Sequence, residues 1–198
     1  MKTMRKHKIL TTLLAIVVII GGAIAFILTH PPADLATHSD EGEERHGNQD
    51  ITAEATAEQA ERTYIEEMIP HHQAAIDSSK ELLKRSTNGD VKRLAEGIIA
   101  GQEKEIADMK SWYKSWYGVE YSEPKNPTAM MRDLSSLSGT ELDKAFMEDM
   151  IEHHAHALEM GQAINPYIQH EEIRTLAVAI ADTQAEEIIS MRILLKQL

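Results

Sequence analysis

The chain has 198 residues, 42% of them hydrophobic, which is enough for one main buried core. It contains no cysteine, so disulfides, thiolate metal ligands and thiol catalysis are excluded together. The net charge is −12, but the first 28 residues hold only positive charges, which leaves 16 basic against 32 acidic side chains beyond them; so acidic a domain repels nucleic acid and anionic membrane and attracts cations.

Lys2, Arg5, Lys6 and Lys8 precede an uncharged run from Ile9 to Leu28. A run of that length crosses a bilayer as a helix. The positive flank stays in the cytoplasm, so the rest of the chain is expected to face the periplasm or cell exterior. Ala23-Ile24-Ala25 resembles a signal-peptidase site, yet the apolar run continues through Phe26, Ile27 and Leu28. Residues 1–28 are therefore predicted as an uncleaved, single-pass anchor in the cytoplasmic membrane rather than a removed signal segment. Residues 29–50 are rich in Pro, Gly and charge without a hydrophobic period, and read as a flexible acidic linker. His30, His38 and His46 within it read as incidental to a solvated tether rather than as a metal-catching arm.

The four-helix domain is expected over 51–198, with its helical pattern starting near Thr52. Ile65, Met68, His72, Ala75, Ile76, Ser79, Leu82 and Leu83 share one face at i, i+3, i+4 spacing. Thr87-Asn88-Gly89-Asp90 breaks that helix, with Gly89 suited to a left-handed stop and Asp90 to the next N-cap. A second helix is predicted from about Val91 to Tyr117, ending at Gly118 and carrying the aromatic cluster Trp112, Tyr113, Trp116 and Tyr117. A longer connection follows, with a short helical turn after Pro127. Ser138-Gly139-Thr140-Glu141 has the form of a capping box and opens the third helix, which ends near Asn165-Pro166; the fourth spans roughly 170–197.

The chain is also an internal duplication. Shifting residues 64–110 by 82 places them on 146–192 without a gap. Met68, His71 and His72 fall on Met150, His153 and His154, while Gln102, Glu105 and Met109 fall on Gln184, Glu187 and Met191. Two repeated hairpins, about 52–117 and 138–198, predict an all-α, ferritin-like four-helix bundle with a long crossover and a pseudo-two-fold axis.

The repeated residues carry the chemistry. Each tandem histidine pair has a methionine one turn before it, and the third helix adds His156 and Met160, which share a face with His153. Counted from the hairpin turn, His72 and Glu105 lie at similar depth. Neutral imidazole with thioether suits copper, particularly Cu(I), with Cu(II) as a second candidate. Taken singly, these methionines are core fillers and a seam histidine is a hydrogen-bonded core residue. The joint pattern favours metal, because several buried imidazoles otherwise leave donors and acceptors to satisfy.

MIPHHQAA and its looser copy MIEHHAHA resemble the signature of a bacterial tandem-histidine family of unknown function that includes CopM-type periplasmic copper-binding proteins. The likeness covers about residues 52–198. It implies a ferritin-like bundle outside the cytoplasm, and by the motif it carries over Met68, His71, His72, Met150, His153 and His154. Ser78 and Ser79 stand where metal-rich members often have another methionine.

The candidate metal residues are thus Met68, His71, His72, Glu105, Met109, Met150, His153, His154, His156, Met160, Glu187 and Met191. No catalytic residue is assigned. The reading is a copper sequestration or chaperone protein, with a metal ion, the membrane and a copper-handling protein as partners, and not an enzyme. A di-iron or di-manganese oxidoreductase is the alternative, but Met68 and Met150 stand where such sites need the glutamate of Glu-x-x-His. A metal-free structural or partner-binding bundle is the third reading. Because imidazole must be neutral to bind, copper affinity is expected to fall below pH of about 6.5. Competition titrations across that range check this, and a flat profile counts against histidine ligation.

Overall fold

A computed structural model describes residues 46–124 and 131–198, with side chains from Thr56 onward. Four α-helices and one short 3-10 turn make up its regular structure, and no strand occurs among the described residues. They are α1 (His46–Arg85), α2 (Gly89–Tyr117), α3 (Gly139–Ile164) and α4 (Glu171–Leu195), with the turn at Asn165–Tyr167. The expected membrane anchor, most of the linker and the turn after Pro127 lie outside the described residues. No helix among those described is long and apolar enough to cross a membrane.

Helix α1 begins at His46, within the segment read as linker, and continues on both sides of Pro70. It packs against α2 and α3, and α4 packs mainly on α3, whereas α2 and α4 barely touch. The two hairpins therefore join through α1 and α3. The core lies in two apolar clusters, each drawing one half of every helix. One gathers Tyr64, Ile65 and Met68 with Met109, Ile164 and Ile173. The other gathers Leu82 and Val91 with Phe146, Met147, Met150 and Met191. The tandem histidines fall between them along the bundle axis.

The turns differ from expectation in their chemistry. Asn88, not Asp90, caps α2: its side chain accepts from the backbone N–H groups of Asp90 and Val91, and Gly89 is the first helical residue. Asn88 wins because its oxygen reaches two of the orphan donors of the first turn. Ser138 occupies the N-cap of α3 with extended backbone, but its side chain makes no capping bond. Gly139 follows at φ +56, which swings the first turn away from the capping-box geometry and favours glycine there. Gly118 closes α2 as expected, left-handed at φ +68, with its N–H donated to the Lys114 carbonyl.

Two long-range clamps tie the connections down. The Arg85 guanidinium donates to the carbonyls of Leu134, Ser135 and Leu137, fixing the segment that leads into α3. Glu61, fully buried on α1, accepts from the backbone N–H groups of Gln169 and His170 and pairs with His170 Nδ1 at 2.7 Å. A carboxylate from α1 thereby caps α4, whose N-cap residue, His170, makes no side-chain capping bond of its own. His170 in turn stacks on Trp116 at 3.8 Å, which ties the aromatic cluster of α2 to the start of α4. The α2 cap sets the first hairpin, so Asn88→Ala is expected to cost about 1 kcal/mol of unfolding free energy, read from urea denaturation at constant m-value.

Candidate metal centre

The polar layer between the apolar clusters is built from both hairpins in matching fashion. His72 on α1 is fully buried, with Nε2 at 2.7 Å from Glu105 Oε2 of α2. His154 on α3 is fully buried, with Nε2 at 2.7 Å from Glu187 Oε2 of α4. The expected depth match between histidine and glutamate thus becomes a direct hydrogen bond in each hairpin. Both glutamates are mostly buried, their side chains 19% and 18% exposed.

The first histidine of each pair does something different. His71 and His153 occupy equivalent positions in the two repeats, and their rings stack at 3.6 Å between centroids. Equivalent residues in mutual contact must straddle the pseudo-two-fold axis, so the axis passes through this stack. His71 lies about 100° from His72 around the helix, off the apolar stripe, yet it is buried, because α3 covers that flank. His153 Nε2 lies 3.0 Å from the His71 carbonyl oxygen. Carbonyl and carboxylate oxygens only accept, so the Nε2 atoms of His72, His153 and His154 carry protons, and each ring has its Nδ1 on the side away from that bond. All three Nδ1 atoms are buried without a protein partner, as are both nitrogens of His71. Gln102 and Gln184, one turn from the glutamates, are buried with both amide atoms unpartnered.

Burial, reinforced by the neighbouring imidazoles, pushes His71 down from 6.5 to about 2. Burial likewise pushes His153 down to about 3, opposed only by its bond to the His71 carbonyl. These two imidazoles are held neutral well below the free histidine value. The fall in affinity expected near the free histidine value therefore does not arise from them.

The methionines divide by site. Met68 and Met150, each one turn before its tandem pair, are fully buried, as are Met109 and Met191. Met160 sits elsewhere, lining an apolar groove with Tyr64, Ile164 and Tyr167. His156 is exposed and lines a different pocket, with its ring 5.2 Å from that of His71. The shared face of His153, His156 and Met160 is thus divided among the buried layer, that pocket and the groove. Among the described residues no three His, Asp or Glu side chains converge on one point as ready metal ligands. Any ion held in the layer must use methionine sulfur or turn an imidazole.

The sequence reading missed Arg132, Asp149 and Glu152, which share the pocket of His156. Asp149, Glu152, His153 and His156 follow i, i+3, i+4, i+7 spacing, a signal that was visible. Arg132 arrives from an aperiodic connection and gave none.

A family model described as a domain of unknown function, DUF305, matches residues 61–195. The solved structure of CopM in its Cu(I)-bound form is 30% identical, with a TM-score of 0.62 over 69% of this chain and 95% of that one. CopM has also been solved in Cu(II)-bound, Ag-bound and apo forms. A DUF305 fragment from Deinococcus radiodurans is 29% identical, with a TM-score of 0.63 over 70% of this chain and 97% of that one. An uncharacterized protein of Acanthamoeba polyphaga mimivirus is 41% identical over 51 residues, which span 26% of this chain and 34% of that protein.

The neutral pair has a consequence for stability. In the unfolded chain both imidazoles take protons as the pH falls through about 6.5, whereas the fold refuses them. The unfolded state then binds more protons, so acid destabilises the metal-free protein. Each such group contributes a slope of about 1.4 kcal/mol per pH unit below that value. Urea unfolding of metal-free protein between pH 4 and 6 is expected to show a shallower slope for His153→Gln by about that amount. An unchanged slope would mean that His153 is protonated in the fold.

Proposed function

The chain belongs to the DUF305 family, and from that premise we propose that it binds copper in the buried histidine layer and serves to sequester or hand on the ion. The carrying observation is the set of buried imidazole nitrogens, from both repeats, that have no protein partner. Unmet hydrogen-bonding groups in a core are costly, about 1–3 kcal/mol each, so a cluster of them calls for a partner that the fold itself does not supply. The copper- and silver-bound forms of CopM support the same reading by likeness.

His71, His72, His153 and His154 would hold the ion, with sulfur from Met68 and Met150. This donor set of neutral nitrogen and thioether suits Cu(I) over zinc or iron. The di-iron alternative has no support in the carboxylates, since Glu105 and Glu187 are each engaged with a histidine. Those two glutamates act behind the metal: accepting Nε2–H, each fixes its imidazole with Nδ1 as the donor atom. Met109 and Met191 lie in the same apolar clusters as Met68 and Met150 and stand as reserve sulfur or as packing. A ferritin-like bundle held outside the cytoplasm by residues 9–28, with a copper-handling protein as recipient, completes the proposal. There the absence of cysteine is an advantage, because thioether sulfur forms no disulfide, although it remains open to oxidation to the sulfoxide.

Anaerobic titration of the full chain with Cu(I) against a chromophoric competitor tests this. Wild type is expected to compete effectively, and His72→Ala/His154→Ala to lose that binding. Glu105→Gln/Glu187→Gln should bind about 10–100-fold more weakly while keeping the stoichiometry. Binding that survives the histidine double substitution unchanged would sink the assignment.

A further inference from the structure

The pocket missed by the sequence reading breaks the symmetry of the bundle. It has a volume of about 430 Å³ and is lined by His71, Arg132, Asp149, Glu152, His153 and His156. On α1 the positions equivalent to Glu152 and His156 are Pro70 and Ala74, neither of which can bind a cation. The inner layer is therefore duplicated, and this pocket is not.

Three observations bear on what this pocket does. Its floor is made of buried imidazoles with unused nitrogens, both of those in His71 and Nδ1 of His153. Its mouth carries exposed Glu152 and His156 one turn apart on α3, close enough to act together on one ion. Its wall is fixed: Arg132 Nε lies 2.7 and 2.8 Å from the two carboxylate oxygens of Asp149, which also accepts the Arg132 backbone N–H. Two carboxylates against one guanidinium leave the lining net negative. Cations are drawn to such a mouth by the field of the acidic chain.

We propose that this pocket is an inlet of the protein, where Glu152 and His156 form a shallow capture site that passes a copper ion inward to His71 and His153. The inference rests on the copper reading of the buried layer. His156 supplies a nitrogen donor, and Glu152 supplies charge and a weaker oxygen donor. Two protein ligands, with water completing the shell, hold an ion loosely, as a site that must release its cargo inward requires. The step inward is short, since the His156 and His71 rings are 5.2 Å apart. His71 then adjoins His153 at 3.6 Å, so the ion moves between imidazoles without crossing the apolar clusters.

The test is kinetic and uses the full chain. Cu(I) is transferred anaerobically from a weak chromophoric complex, and both the rate and the final occupancy are followed. Glu152→Gln/His156→Ala, altered only at exposed positions, is expected to accept copper about tenfold more slowly than wild type, within the range that electrostatic focusing gives. Glu159→Gln, which removes the same charge from an exposed site on α3 outside the pocket, should run at the wild-type rate. An inlet variant as fast as wild type overturns the proposal, and so does a Glu159→Gln variant slowed as much as the inlet variant. Failure of the underlying reading is seen in the endpoint instead: a wild-type chain that takes up no copper, or full occupancy in His72→Ala/His154→Ala, removes the buried layer as the destination.

Discussion

Everything in this bundle is arranged around two equivalent imidazoles meeting face to face. His71 and His153 stack at 3.6 Å where the repeats meet, and that contact fixes where the pseudo-two-fold axis runs. It also fixes which helices form the centre. α1 and α3 must approach closely enough to bring the rings together, so the hairpins join through them and α2 and α4 are left on the outside. The outer helices reach the layer through long carboxylates, Glu105 and Glu187, which clasp the second histidine of each pair from behind. A polar layer at the middle of a bundle divides its core, and the two apolar clusters on either side follow from it. They supply the burial that carries the stability, while the layer supplies the chemistry at a cost in unmet hydrogen bonds.

Duplication gives the inner layer for one design, and divergence then works on the periphery. The pairs His72–Glu105 and His154–Glu187 share the same 2.7 Å bond. Outside them the copies part. Ser78 stands at the position equivalent to Met160, and its hydroxyl is buried without a partner. Met160 instead faces an apolar groove near the chain's aromatic residues. Glu152 and His156 replace Pro70 and Ala74 on the third helix. A symmetric inner site with an asymmetric exterior lets the proposed capture site sit on one repeat without altering the layer that both repeats build.

Much of this was legible in the residues because helices report themselves through period. The apolar stripe containing Ile65, Met68 and His72, and the 82-residue shift, identified the hairpins and the matching depths of histidine and glutamate. Period cannot reveal what an interhelical contact covers. His71 falls about 100° from His72 on the helical wheel, and only the packing of α3 against that flank buries it. Nor does a motif determine hydrogen-bond geometry: Ser138 has the spacing of a capping box, but Gly139 at φ +56 turns the backbone away from it. Glu61 is the clearest case of information that local sequence lacks. Its carboxylate caps a helix more than a hundred residues away, and no short-range pattern predicts that reach.

The electrostatics then separate attraction from selection. Outside, the acidic chain gathers cations of every kind. Inside, burial holds His71 and His153 neutral, so the donors in the layer present lone pairs and little charge. A magnesium or calcium ion that entered would surrender oxygen ligands and a tightly held hydration shell to groups unable to replace them. A soft, singly charged ion gives up far less on desolvation and is well matched by imidazole and thioether. In the proposed function, charge at the surface would set how fast ions arrive, and softness at the centre which ones stay. On the proposed reading the two roles fall on different residues, Glu152 and His156 for arrival and the methionine–histidine layer for retention, so that speed of uptake and choice of ion can be altered separately.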